Sequence, residues 1–257
     1  MTVQLANKTA LVTGSSRGIG RAIATRLARA GAVTAVHSGT DAGGVAETVR
    51  VIEEAGGRAF PVLAELGVPG DVDVLFDGLE AGLKEHADRV GLDILVNNAA
   101  VLGTVAPEEV TPGQFDRLMA VNAKAPLFIV QRALPLMPDG GRIVNISTGL
   151  TRFANPPEVA HAMSKAALEM ITLHFARHLG ARGITVNTVA PGVVDTGDLA
   201  RAEPWLRAAL SGLSAFGRLG EPEDISEVVA FLAAPEARWI TGAWIDATGG
   251  TMLGQDL

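Results

Sequence analysis

The sequence predicts an α/β fold: one doubly wound parallel sheet of about seven strands with helices on both faces. Three observations predict it. From Lys8 onward, short β-branched runs alternate with stretches whose apolar residues recur at helical spacing, which is how a parallel sheet flanked by helices reads. Glycines fall where strands give way to helices, and no linker, tandem repeat or low-complexity segment breaks the order. The chain of 257 residues is long enough for one large domain with a sizeable core. Residues 1–257 are therefore read as a single domain.

Thr9–Val12 is the first predicted strand. Ile19, Ala22, Ile23, Leu27 and Ala30 follow at helical spacing, and Gly31 ends that helix at its C′ position. Val33–His37 is the second strand, and Val45, Val49 and Ile52 mark a helix closed by Gly56 and Gly57. Ala59–Leu63 is the third strand; Val72, Leu75, Phe76, Leu79 and Leu83 mark the helix after it, and Leu92–Val96 is the fourth strand. Thr111-Pro112-Gly113-Gln114 combines an N-cap, a proline at N1 and a glutamine at N3, a capping-box start for a long helix. Phe115, Leu118 and Met119 lie on that helix, which Pro126 should kink. Arg142–Ile146, introduced by Gly140 and Gly141, is the fifth strand; a helix containing Lys165 runs to near Gly180, and Ile184–Val189 is the sixth strand. Residues 193–217, with Trp205, Leu206, Leu210 and Leu213, break the pattern and read as a helical lid over the strand ends. A helix over Pro222–Leu232 and a strand over Ala243–Asp246 finish the sheet.

Composition narrows the function classes. A formal net charge of −7 argues against a general nucleic-acid or anionic-membrane binder. No apolar run approaches the roughly 20 residues that span a bilayer, and the first residues lack the basic and apolar regions of a signal peptide. With zero cysteines there is no disulfide framework, thiolate zinc site or redox thiol. His37, His86, His174 and His178 show no metal-ligand spacing with carboxylates, so no metal is assigned. The expected location is the cytoplasm.

Two stretches carry chemistry. Gly14, Gly18 and Gly20 sit between a strand and a helix, where glycine lets backbone N–H groups approach a pyrophosphate at the helix N-terminus. The residue closing the second strand would read the adenosine ribose, and an NAD site places an acid there. Here the segment is His37-Ser38-Gly39-Thr40, without one, and Arg17 is available to meet a 2′-phosphate; both point to NADP(H). Ser147 follows the fifth strand, and His161 and Lys165 share one face of the next helix at i, i+4. A strand-end hydroxyl facing a helix-borne acid and a cation suits proton transfer at an oxygen. Taken alone, these three residues also read as a turn serine, an ordinary helical histidine and a solvated lysine.

The order of Thr13-Gly14-Ser15-Ser16-Arg17-Gly18-Ile19-Gly20, Asn97-Asn98-Ala99, Asn122, Ser147 and Lys165 resembles the short-chain dehydrogenase/reductase family, over about residues 6–250. The resemblance implies a Rossmann-type domain that binds NADP(H) through Gly14, Ser16, Arg17, Gly18, Ile19 and Gly20. It adds His37, Ser38 and Gly39 at the ribose, Glu65 and Leu66 at the adenine, Asn98 and Ala99, and Lys165 at the nicotinamide ribose. It also adds Pro191, Gly192, Val194 and Thr196 as the loop under the nicotinamide. As catalytic residues it implies Asn122, Ser147 and Lys165, with Ser147 orienting a carbonyl oxygen and Asn122 holding a water near Lys165. The family's Tyr-x-x-x-Lys signature reads His161-Ala162-Met163-Ser164-Lys165 here, and the chain contains no tyrosine.

The expected activity is that of a carbonyl reductase or alcohol dehydrogenase acting on a small apolar substrate under the lid. Three readings of His161 stay open. It, or a bridging water, replaces tyrosine as the acid; its presence leaves an NADP(H)-binding protein with weak or no turnover; or the scaffold serves a non-redox lyase or isomerase. Lys165 nearby should lower the imidazole pKa by like-charge repulsion. The resemblance further implies a homotetramer or homodimer built on the helices bearing Asn122 and Lys165, with Phe128, Leu168 and Ile171 available for contacts.

Overall fold

Strands covered on both faces must be apolar throughout, and Val33–Ser38 and Arg142–Ile146 are buried along their whole length. In the structure, a computed structural model, these are β2 and β5 of a parallel seven-stranded sheet in the order β3-β2-β1-β4-β5-β6-β7. The others are β1 (Thr9–Val12), β3 (Arg58–Leu63), β4 (Ile94–Asn97), β6 (Thr185–Pro191) and β7 (Trp244–Ala247). The helices are α1 (Gly18–Arg29), α2 (Ala42–Glu54), α3 (Asp71–His86), α4 (Pro112–Met119), α5 (Ala125–Ala133), α6 (Val159–Leu179), α7 (Pro204–Ser211) and α8 (Pro222–Ala233). The structure describes residues 4–197, 199 and 203–253; the parts of the expected domain and lid at 1–3, 198, 200–202 and 254–257 lie outside the described residues.

Successive strand residues point to opposite faces, so Leu11 enters one apolar core and Val12 the other. The first core packs Phe60, Phe76, Leu79, Ile129 and Leu168 under α3, α5 and α6. The second packs Ile23, Leu27, Ile52 and Val229 under α1, α2 and α8. The sheet order reverses between β1 and β4, and ligands of open α/β sheets bind beyond the strand carboxyl ends at that crevice.

Two expectations are corrected. The long helix predicted from Thr111 starts at its capping box, with Gln114 N–H on Thr111 Oγ1 at 3.3 Å and Thr111 N–H on Gln114 Oε1 at 3.0 Å. It is not one helix kinked at Pro126, however. A π-helical turn over Ala120–Lys124 separates α4 from α5, and Ala125 N–H reaches back to the Ala120 carbonyl. The extra residue moves Pro126 into the first turn of α5, where a missing N–H costs nothing. Asn122 lies within that turn, and Pro126 has no N–H to give its carbonyl. Secondly, Leu168 and Ile171 are not available for subunit contacts, being only 1% and 7% exposed in the core. The exposed apolar side chains of α6 are Met163, Met170 and Leu173, and Phe128 on α5 is exposed as expected.

Among the described residues no helix is long and apolar enough to cross a membrane, and no group of three or more His, Cys, Asp or Glu could hold a metal ion.

Candidate active site

The glycine loop is tight for steric reasons. Gly14 has φ +65°, and a Cβ there would stand 2.7 Å from Ala99 Cα; a Cβ on Gly20 would stand 2.1 Å from the Gly14 carbonyl oxygen. Side chains brace the turn from below. Asn98 Nδ2 donates to the Thr13 and Gly14 carbonyls at 2.9 Å each, and Thr13 Oγ1 accepts from Asn98 and Ala99 N–H at 3.0 Å. His37 has both ring nitrogens engaged: Nδ1 accepts from Gly14 N–H at 3.1 Å, and Nε2 meets the Ala64 carbonyl at 2.9 Å. Burial lowers its pKa to about 4, so the ring is neutral, with its proton on Nε2. His37 thus borders the cleft by holding the loop in shape. It has no ring nitrogen left for a nucleotide.

A cleft of about 420 Å³ runs past Gly14, Ser16, Arg17, Gly18, Ile19, Gly20, His37, Ser38, Gly39, Glu65, Leu66, Asn98, Ala99 and Thr196. It gathers the expected nucleotide residues at the sheet's crevice. Arg17, at the N-cap of α1, supplies no side-chain cap to the helix N–H groups, which suits an anion seated there. The residues present therefore fit a dinucleotide. Ser38 closes β2 with no acid beside it; Asp41, further on, turns its carboxylate onto Gly44 N–H at 2.8 Å to cap α2. Pro191 ends β6, and Gly192 and Val194 border a second cleft of about 380 Å³ instead. Trp205 of the expected lid lies on α7 and is largely exposed.

At the carboxyl end of β5, Lys165 Nζ donates to the Ile146 carbonyl at 2.7 Å, and Ser147 N–H donates to the Val189 carbonyl at 2.8 Å. Burial lowers the Lys165 pKa to about 8, against the pull of the Glu169 carboxylate. His161 is 4% exposed, and its Nδ1 is buried without a partner. Its pKa falls to about 4, first through burial and then through Lys165, with a hydrogen bond to the Val101 backbone opposing. The imidazole is neutral near pH 7. Asn122 does not turn its side chain to Lys165. Its Oδ1 accepts from Val101 N–H at 2.9 Å, and its Nδ2 donates to the Val101 carbonyl at 2.9 Å and to Ser164 Oγ at 3.0 Å. The side chain clamps the segment after β4 to α6. Only its backbone carbonyl is left for a water.

Sequence reasoning passed over Glu169. This buried carboxylate receives the Ser147 hydroxyl at 2.7 Å, the Thr151 hydroxyl at 2.7 Å and Trp244 Nε1 at 2.8 Å, all on Oε1. Arg152 stands 3.2 Å from Oε2 with its guanidinium 4.9 Å from the centre of the Trp244 ring. The signal was present in the spacing: His161, Lys165 and Glu169 fall at i, i+4 and i+8 on α6, a polar stripe on an otherwise buried face.

A family profile described as enoyl-(acyl carrier protein) reductase matches residues 14–252. The chain belongs to the short-chain dehydrogenase/reductase family. It is similar to the angucycline C-6 ketoreductase LanV with bound NADP, at 64% identity over 99% of both chains with a TM-score of 0.95. LanV also has a structure with NADP and rabelomycin. The reductase LugOII, which catalyses keto-reduction at C1 during lugdunomycin biosynthesis, is 60% identical, covering 98% of this chain and 100% of its own, with a TM-score of 0.96. A hydroxynaphthalene reductase-like protein of Metarhizium brunneum is 38% identical over 263 residues, 96% of each chain. The short-chain dehydrogenase/reductase fold is thus matched along the whole chain.

Proposed function

We propose that this protein reduces a ketone on a fused-ring, largely apolar substrate, with NADPH as the hydride source. The observation that carries this reading is the buried Ser147–Glu169 pair and Lys165 at the end of β5, beside a cleft shaped for a dinucleotide. The fused-ring substrate class is supported by the 64% identity to LanV, whose structure holds rabelomycin. When bound, NADPH supplies a hydride to the carbonyl carbon. The loop N–H groups at Gly14–Gly20 face its pyrophosphate, Ser38 and Arg17 accommodate the 2′-phosphate, and Lys165 meets the nicotinamide ribose.

The proton must come from elsewhere than His161. An imidazole with a pKa of about 4 is almost wholly deprotonated at pH 7. Lys165, at about 8, is mostly ammonium there and lies close to the operating pH, where an acid works best. Lys165 delivers the proton to the alkoxide through a bridging water, in the space an imidazole leaves by being shorter than a phenol. Reduction by NADPH yields a secondary alcohol, and solvent reprotonates Lys165.

Loss of NADPH absorbance against a panel of fused-ring ketones, run beside a cofactor-binding titration, tests the reading. Turnover supports the reductase. Binding without turnover makes the protein an NADP(H) sensor, and substrate conversion without NADPH loss makes it a lyase or isomerase. We further propose a cytoplasmic homotetramer or homodimer, supported by exposed Phe128, Met163, Met170 and Leu173 on the α5 and α6 surfaces.

A further inference from the structure

Ser147 stands beside the reacting atoms, yet its hydroxyl hydrogen is already committed. Carboxylate oxygens only accept, and Glu169 Oε1 lies 2.7 Å from Ser147 Oγ. The same oxygen takes the hydroxyl of Thr151 and the indole N–H of Trp244, while Arg152 balances the charge on Oε2. With three donors on one oxygen and a guanidinium on the other, the carboxylate cannot turn away from Ser147 without stranding buried polar groups. Glu169 is itself 4% exposed, so no solvent competes for it.

We propose that Glu169 is a positioning residue that holds Ser147 as a hydrogen-bond acceptor, so that Ser147 grips a substrate hydroxyl and not a bare carbonyl oxygen. A serine has one hydrogen and two lone pairs. With the hydrogen on Glu169, only lone pairs remain to face the substrate. A ketone oxygen placed there meets lone pair against lone pair, whereas an alcohol donates into it. This reverses the role expected of Ser147 from the family resemblance. The site therefore recognises the alcohol side of the reaction, or a hydroxyl carried next to the reacting ketone. The inference rests on the ketoreductase reading above, and it adds which oxygen function Ser147 selects.

The test uses α-tetralone and α-tetralol in non-reacting complexes, the ketone titrated into protein loaded with NADP⁺ and the alcohol into protein loaded with NADPH. Each affinity is compared between the starting protein and Ser147→Ala. The expected result is a loss of about tenfold for the alcohol, with the ketone within about twofold. A tenfold loss for the ketone, an equal loss for both, or no change in either overturns the proposal. Glu169→Leu frees the Ser147 hydroxyl, so in that background Ser147→Ala should weaken the ketone as well. Glu169→Gln keeps an acceptor oxygen for the same three donors, and should preserve the alcohol selectivity that Glu169→Leu loses. A folded, NADPH-binding Glu169→Gln without that selectivity would also overturn it, so the test stands even where the leucine variant does not fold. None of these arms needs turnover. A protein that never consumes NADPH sinks the reductase reading and leaves this measurement intact.

Discussion

At the scale of single residues, His161 is where the family resemblance and the local physics pull apart. Its position suggested an acid in place of tyrosine; its burial and the neighbouring Lys165 leave it a neutral ring. His161→Phe should therefore keep kcat within about threefold, far short of the roughly 10²–10⁴ typical of removing a general acid. A loss in that larger range would return the ring to the acid's role. His161→Tyr should raise kcat by placing a phenol beside Lys165. In the starting protein, kcat should fall as pH rises through about 8, where Lys165 gives up its proton, and show no step near 6.5. Ser147 and Lys165 were legible because motif order and i, i+4 spacing carry them. Glu169 was not, since a glutamate on a helix reads as a solvated charge until β7 is known to bring Trp244 over it.

At the scale of elements, the strand–loop–helix unit β1–α1 was readable to within a residue or so, because β-branched runs and glycine punctuation are local signals. Its tolerance is small. Gly20→Ala puts a methyl 2.1 Å from a backbone oxygen, and it should lower NADPH affinity at least tenfold with the fold retained by circular dichroism. Arg17→Ala should instead weaken NADPH about tenfold, near 1.4 kcal/mol, and leave NADH almost unchanged; equal losses for both cofactors would remove the 2′-phosphate contact. The α4–α5 region was harder to read. Pro126 signals a helix irregularity, but where the chain absorbs it depends on packing. Here the π turn upstream absorbs it, and that turn also presents Asn122 to Val101 and Ser164.

At the scale of the molecule, two buried neutral histidines couple folding to acid. His37 and His161 titrate at about 4 when folded against 6.5 as free groups. Unfolded rings take up protons as pH falls below 6.5, while folded ones wait until about 4. Stability is thus full above 6.5 and declines across that window, by on the order of 2–3 kcal/mol per ring. The urea midpoint should drop between about pH 7 and pH 5, and His161→Phe should flatten part of the slope. A midpoint that does not move would show that the rings are charged in the folded state. Light scattering at micromolar concentration should report a dimer or tetramer, since Met163, Met170 and Leu173 leave a large apolar area on α6; a monomer counts against that assembly. The sheet order and its two cores followed from periodicity, whereas the outward faces of α5 and α6 did not. Apolar residues at helical spacing do not say which of them face the sheet, and Leu168 and Ile171 prove to be core.

The indole that closes over Glu169 also makes the chain optically simple. With three tryptophans and no tyrosine, its near-ultraviolet emission comes from tryptophan alone. Trp205 and Trp239 are 69% and 96% exposed, so a soluble quencher such as iodide reaches both. Trp244 is partly shielded, and its N–H sits on the carboxylate that holds Ser147. The light that survives quenching therefore reports from the catalytic pocket itself, with no label added. Events there can be followed by colour and intensity in the unmodified protein.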